Sequence, residues 1–137
     1  MTALSPPAAS LVRLMSELPR GPRRDGAFAL WLTLRAIEDL TLVPPLPDRP
    51  VRRRFAALEA RLATLAVPTS LRRALAAAAT QLTGAAPPAP GLVLQQLVAP
   101  ARDTLGRAAA EAIAAAARRA TPGFEAPRSR TGLPDRG

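Results

Sequence analysis

Apolar side chains recur every three or four residues along most of this chain, which is the spacing of helices that bury one face. The clearest case is the segment from about Arg49 to Ala66, where the apolar residues keep an a/d pattern over two heptads. No stretch alternates apolar and polar residues over the length of a strand, so the pattern predicts an all-α fold. The residues of this heptad seam are Val51, Phe55, Leu58, Leu62 and Leu65.

Prolines and capping residues divide the pattern into about five helices. The first is predicted to begin after the N-cap Ser5, which precedes a proline suited to a first helical turn, and to end at Pro19. The second predicted helix runs from an Asp25 N-cap to about Leu42, and the third runs from about Arg49, after an Asp48 cap, to Ala66. The fourth begins at a Thr69 or Ser70 cap and ends with Gly84 at its C′ position. The last runs from about Leu92 to Ala120.

The last helical region contains Pro100, and a proline inside a helix removes a backbone donor and clashes with the preceding turn. We therefore expect either a kink at Pro100 or a new helix that begins there. A ladder of charges at i, i+4 spacing, Asp103, Arg107 and Glu111, is predicted on the outer face. The predicted buried face consists of Leu94, Leu97, Val98, Ala101, Leu105, Ala108, Ala112 and Ala116.

The connectors between the predicted helices are rich in proline. Residues 43–50 contain four prolines, which predicts an extended and fairly stiff connector. The chain has 137 residues, and many of its apolar residues are alanine, so the larger apolar side chains suffice for one modest core. We expect residues 1–120 to form a single α-helical domain, an irregular bundle, and the apolar-poor residues 121–137 to form a disordered tail.

The net charge of +9 is uneven, because residues 49–73 alone carry +6. Arginines in the first turns of the predicted third helix are placed against the helix dipole, and two more lie in the fourth. This cluster is a candidate phosphate-binding surface for nucleic acid or another polyanion. A solvated basic face, or codon bias in a chain whose 19 basic residues are all arginine, is the simpler explanation. The six arginines are Arg49, Arg52, Arg53, Arg54, Arg72 and Arg73.

An aromatic and charged stripe follows one side of the predicted second helix, with Phe28, Trp31, Arg35 and Asp39 at i, i+3, i+7 and i+11. Trp and Arg are enriched at interface hot spots, so Phe28, Trp31 and Arg35 are candidate partner-binding residues. The helix is also apolar on another side, however, and such a helix usually lies at the centre of a bundle. We therefore favour a core position for Trp31, with Arg35 paired to Glu38 or Asp39.

The alanine-rich run Ala108–Ala117 allows two interpretations. Small side chains permit close approach of two helices, so the run is a candidate homodimer seam. Alanine also has the highest helix propensity, and the run would then simply cover the bundle.

The chain contains no Cys, His, Lys, Tyr or Asn. These absences exclude Ser-His-Asp and Cys-His arrangements, Schiff-base chemistry and zinc sites built from Cys or His. Neither the phosphate-loop motif G-x-x-x-x-G-K-[ST] nor the dinucleotide-binding motif G-x-G-x-x-G is present. Only carboxylates remain as candidates for catalysis, chiefly Glu38, Asp39 and Glu59, and adjacent residues on a helix point apart. We expect no enzymatic activity, no cofactor and no metal site.

The sequence as a whole favours a small soluble interaction or structural module that binds a protein partner or a second copy of itself. The alternative is a nucleic-acid or polyanion binder that uses the arginine cluster. No apolar run reaches the length of a membrane span, and the first residues lack a signal-peptide pattern, so a cytoplasmic location is expected.

Overall fold

Helices dominate the part of the chain that the computed structural model describes, residues 5–40 and 48–120, and no strand occurs there. The all-α prediction is therefore confirmed, while the predicted tail, 121–137, lies outside the described residues. The described helices, one more than the predicted number, are α1 Pro6–Glu17, α2 Pro22–Leu40, α3 Asp48–Leu62, α4 Thr69–Leu82, α5 Pro90–Leu105 and α6 Arg107–Arg119.

The start of α1 follows the sequence prediction closely. Ser5 is the N-cap, and its hydroxyl accepts a hydrogen bond from the Ala8 N–H at 3.2 Å. The same hydroxyl donates to the carboxylate of Glu38 at 2.5 Å. The cap therefore also fixes the beginning of α1 against the end of α2.

The α2 helix begins at Pro22, three residues before the predicted N-cap, so the capping role assigned to Asp25 is wrong. Proline is well suited to a first helical turn, since its φ is already helical and it has no N–H to satisfy. Asp25 lies within that first turn, where its carboxylate accepts the N–H of Ala66 at 2.8 Å. The residue thus joins α2 to the connector after α3.

The third and fourth helices also differ from prediction at their ends. α3 ends at Leu62 instead of Ala66, because the chain tightens into i→i+3 bonds, from the Leu65 N–H to the Leu62 carbonyl at 3.1 Å among them. α4 begins at Thr69 with Pro68 in the N-cap position and no side-chain cap, so the predicted Thr69 or Ser70 cap is wrong.

The break in the last helical region lies at Gly106, so of the two alternatives given for Pro100, a kink or a new helix, the new helix does not form there. α5 continues through Pro100 to Leu105, and Gly106 then has a φ of 98°, a conformation open mainly to glycine. After the break, Ala108 of the predicted buried face is exposed, whereas Ala112 and Ala116 are buried as predicted. Of the predicted charge ladder, the Arg107–Glu111 pair is present at 2.9 Å within α6, whereas Asp103 lies in α5.

The core centres on α2, which packs against each of the other five described helices. Gly26 shows how close this packing is, since a Cβ there would lie 3.2 Å from Leu71 and 3.4 Å from Leu105. The central position predicted for this helix from its two apolar sides is therefore confirmed. Its fully buried apolar residues are Ala27, Ala29, Leu30, Leu34 and Ile37.

Candidate interaction surfaces

The arginines predicted to form one polyanion surface lie at opposite ends of a helix pair. α3 and α4 run antiparallel, because Leu62 at the end of α3 contacts Arg72 near the start of α4, while Arg52 lines a crevice with Thr83 beyond the end of α4. Thr83 follows Arg72 by eleven positions, which corresponds to about 16 Å of helix. The two groups of arginines are therefore separated by most of the length of α4.

Two of the six arginines are engaged in holding α3 in place. Arg72 is half-buried and donates hydrogen bonds to the carbonyls of Leu62 at 3.0 Å and Leu65 at 2.6 Å, so it caps the C-terminal end of α3. Arg54 forms an ion pair with Asp39 of α2. Arg54 is nevertheless exposed, as are Arg52, Arg53 and Arg73, and the side chain of Arg49 lies outside the described part of the structure.

The aromatic stripe of α2 lies at the edge of the core. Phe28 and Trp31 stack with their ring centroids 6.1 Å apart and an angle of 14° between the planes. The guanidinium of Arg61, from α3, lies 5.2 Å from the centre of the Phe28 ring, within cation–π range. Both aromatic residues are half-buried, so Trp31 does not have the full core position that we favoured.

The indole N–H of Trp31 is buried without a hydrogen-bond acceptor among the residues that the structure describes. A buried donor without a partner costs about 1–3 kcal/mol, and native proteins contain few of them. Arg35 lies 3.9 Å from Glu38, which agrees with the pairing expected from the sequence. Glu38 also accepts the Ser5 hydroxyl, so this carboxylate is part of the contact between α1 and α2.

A groove lies between α1 and α2 beside the stripe, and we call it the corner groove. Its volume is about 730 Å³. Sequence reasoning identified Phe28 but missed the groove, because Arg20 and Arg24 lie between the predicted end of the first helix at Pro19 and the predicted Asp25 N-cap of the second. The lining residues are Val12, Met15, Ser16, Arg20, Gly21, Arg24, Asp25 and Phe28.

Apolar and charged side chains occupy different parts of the corner groove. Val12, Met15 and Phe28 are half-buried and supply an apolar floor, while Arg20 and Arg24 are exposed at the rim. Within the described residues, neither arginine lies within ion-pair distance of a carboxylate. The one carboxylate in the lining, Asp25, accepts the Ala66 N–H. The groove therefore combines an apolar floor with a positive rim.

Two further depressions have different characters. A groove of about 590 Å³ between α1 and α6 is lined by both signs of charge, with Arg13, Arg118 and Arg119 beside Glu17 and Glu111. A crevice of about 180 Å³ between α3 and α4 is mainly apolar. Its principal apolar residues are Phe55, Leu58, Leu62, Leu75 and Ala79.

The alanine-rich run is mostly turned into the bundle, where α6 packs against α1, α2 and α5. Ala108 is exposed, and Ala114 and Ala115 are half-buried. The surface left for a homodimer seam on this run is therefore small. The buried alanines of the run are Ala109, Ala110, Ala112, Ala116 and Ala117.

The remaining carboxylates are dispersed. Glu38 contacts Ser5 and Arg35, Asp39 contacts Arg54, and Glu59 is exposed on α3. In residues 5–40 and 48–120, no three His, Cys, Asp or Glu side chains are grouped so as to hold a metal ion. None of the described helices has the length and apolar character needed to cross a bilayer.

Comparison of the chain with models of protein families, with curated proteins and with solved structures found no match. The interaction surfaces are therefore interpreted from their residues alone.

Proposed function

We propose that this chain is a non-enzymatic helical module that binds a protein partner through the corner groove and the neighbouring Phe28–Trp31 pair. The observation that supports this is the groove itself, in which an apolar floor adjoins exposed arginines without carboxylate partners among the described residues. Aromatic residues and arginine are the types that dominate the energy of protein interfaces. An apolar floor inside a polar rim is also the usual anatomy of an interface.

The polyanion alternative has weaker support. Binding to a nucleic-acid backbone depends on neutralising successive phosphates with exposed cations. In the predicted cluster, Arg54 is paired with Asp39, and Arg72 caps α3, so each would have to give up a contact. The exposed Arg52 and Arg73 lie at different ends of the α3–α4 pair.

A photo-crosslinking experiment tests the proposal in cells that naturally make the protein. A benzoylphenylalanine replaces Ser16, an exposed residue that lines the corner groove without forming its floor. The matched control carries the same group at Ala77, which is exposed on α4. We expect a discrete protein adduct at position 16 that is absent at position 77.

The captured protein must then bind the purified chain. We expect Met15→Ala to weaken that complex by about tenfold, because it removes part of the apolar floor. Leu92→Ala truncates an exposed leucine outside the groove and should leave the affinity unchanged. An adduct to nucleic acid would favour the polyanion alternative, and equal adducts at positions 16 and 77 would contradict the proposal.

A further inference from the structure

We propose that the partner segment held in the corner groove is an acidic amphipathic helix, with one apolar face and carboxylates beside it. This inference rests on the proposed function and specifies the chemistry of its partner. A groove between two helices with an apolar floor suits the binding mode in which a helix inserts its apolar face. Met15 in the floor favours this mode, since its flexible side chain adapts to the shape of an inserted residue.

The positions of the arginines identify the charge of the partner. Three arginines precede or begin α2, where the positive end of the helix dipole disfavours cations. Arg23 has a structural role there, because it donates to the carbonyl of Leu105 at the end of α5 at 3.3 Å. Arg20 and Arg24 have no such acceptor within the described residues and line the groove instead. Carboxylates from a partner would offset the unfavourable placement of these two cations.

The groove does not suit base stacking, which distinguishes this partner from a single-stranded nucleic acid. Stacking needs an aromatic ring whose face is open to a base. The ring of Phe28 is already stacked with Trp31 and lies beside the guanidinium of Arg61. The apolar floor would also remain unused by a phosphate backbone.

A second copy of this chain fits the charge requirement poorly. The exposed carboxylates of the described residues are single, and each lies on a different helix. Glu38 and Asp39 are adjacent on α2, but both already contact neighbouring side chains. Among the residues whose exposure the structure describes, no helix of a second copy therefore presents two exposed carboxylates to the groove. The four exposed carboxylates are Glu17, Glu59, Asp103 and Glu111.

Binding of designed peptides to the full chain tests the inference directly. The probes are labelled peptides of about 20 residues, a length at which helices begin to be stable in water. One peptide has a leucine face flanked by glutamates, one has the same composition in scrambled order, and one replaces each glutamate by lysine. We expect the acidic amphipathic peptide to bind at least about tenfold more tightly than either of the others by fluorescence anisotropy.

The location of binding has a built-in reporter, because Trp31 is the one tryptophan of the sequence and stacks on a groove residue. Its emission should change in a saturable way on addition of the acidic peptide. The double variant Arg20→Glu with Arg24→Glu should lose about tenfold or more in affinity. The matched variant Arg52→Glu with Arg53→Glu reverses two exposed charges on α3 and should retain it.

Three results would overturn the inference: equal losses in the two double variants, tightest binding by the scrambled or lysine peptide, or tighter binding to duplex DNA of similar length. Circular dichroism melts of both double variants establish that each is folded. The proposed function can survive this failure. If a protein is captured from position 16 and its binding is unchanged by Arg20→Glu with Arg24→Glu, the proposed function is supported and the acidic-helix inference is contradicted. The absence of any capture at position 16 would remove both.

Discussion

The α5–α6 pair and the α3 helix are held in the bundle by different means. α6 buries alanines in the bundle, and α5 contributes buried side chains such as Leu94 and Leu97. α3 packs only against α2 and α4 among the described helices. Alongside the buried side chains of its seam, three contacts with α2 help to fix it: Arg54 with Asp39, Arg61 with Phe28, and the Ala66 N–H with Asp25.

This difference between the two regions distinguishes contacts that stabilise the bundle from contacts that fix the orientation of one helix. Burial of apolar surface contributes about 25 cal/mol per Å², so the packed α5–α6 region supplies free energy in proportion to its area. Partly exposed ion pairs contribute about 0–1 kcal/mol each, but they are directional and fix the position of one helix on another. We infer that α5 and α6 stabilise the bundle, whereas the contacts of α3 mainly determine where that helix lies.

Truncation of a buried leucine in α5 should have the largest effect. Leu94→Ala removes a fully buried side chain and should lower the free energy of unfolding by about 2–5 kcal/mol. Leu92→Ala, two residues away on the same helix, truncates a leucine that is 57% exposed and should change stability little. Urea unfolding of both variants provides the measurement. Equal losses would contradict the assignment of the core to one face of α5.

Overpacking the alanine face of α6 should have the next largest effect. Ala110→Leu adds a side chain where the residue is only 1% exposed, and should cost about 1–3 kcal/mol. Ala108→Leu makes the same change at an exposed position on the same helix. Alanine and leucine have similar helix propensities, so the difference between the two thermal melts isolates packing. An Ala108→Leu variant destabilised as much as Ala110→Leu would contradict the exposed position of Ala108.

Removal of the arginine cap should loosen α3 with a smaller effect on the whole molecule. Arg72→Gln deletes the hydrogen bonds to the Leu62 and Leu65 carbonyls, and should cost about 1–2 kcal/mol because the guanidinium is only half-buried. Arg73→Gln removes an exposed neighbour and should cost less than about 0.5 kcal/mol. Hydrogen exchange should become faster in α3 and stay unchanged in α6 for Arg72→Gln. Uniformly faster exchange would contradict the separation of the two regions.

Replacement of an unpaired hydroxyl should give a small gain. The Thr104 hydroxyl is buried without a hydrogen-bond partner in residues 5–40 and 48–120, so Thr104→Val should stabilise the protein by up to about 1 kcal/mol. The control is Thr33→Val, since the Thr33 hydroxyl donates to the Ala29 carbonyl at 2.9 Å and its loss should be unfavourable. A loss of stability in Thr104→Val would indicate that this hydroxyl has a water partner.

Local patterns in the sequence were sufficient for the helices and much of the core. The Ser5 cap, the central position of α2 and the buried heptad residues Phe55, Leu58 and Leu62 were all predictable. These features depend on neighbours within a few residues. The position of Leu65 differs, because the helix has already ended there and the side chain is only half-buried.

Features that depend on distant residues were not predictable. Aspartate is a residue type favoured at N-caps, yet the carboxylate of Asp25 accepts a hydrogen bond from Ala66, 41 residues away in the sequence. The corner groove forms where α1 packs against α2, a tertiary contact, so Arg20 and Arg24 could not be joined to Phe28 in advance. Helical periodicity correctly placed Ala112 and Ala116 on the buried face, but it gave no sign of the break at Gly106, after which Ala108 is exposed.

The backbone conformation at Gly106 determines which chirality of amino acid this position can accept. A Cβ added there would meet no atom within 4 Å, so the position is not reserved for glycine by lack of space. Its φ of 98° and ψ of −177° are unfavourable for an L-amino acid, but their mirror image lies in the ordinary extended region. A D-alanine introduced by chemical synthesis would therefore adopt this backbone readily. The backbone at the boundary between α5 and α6 therefore favours a residue of D configuration, and glycine can adopt it because glycine is achiral.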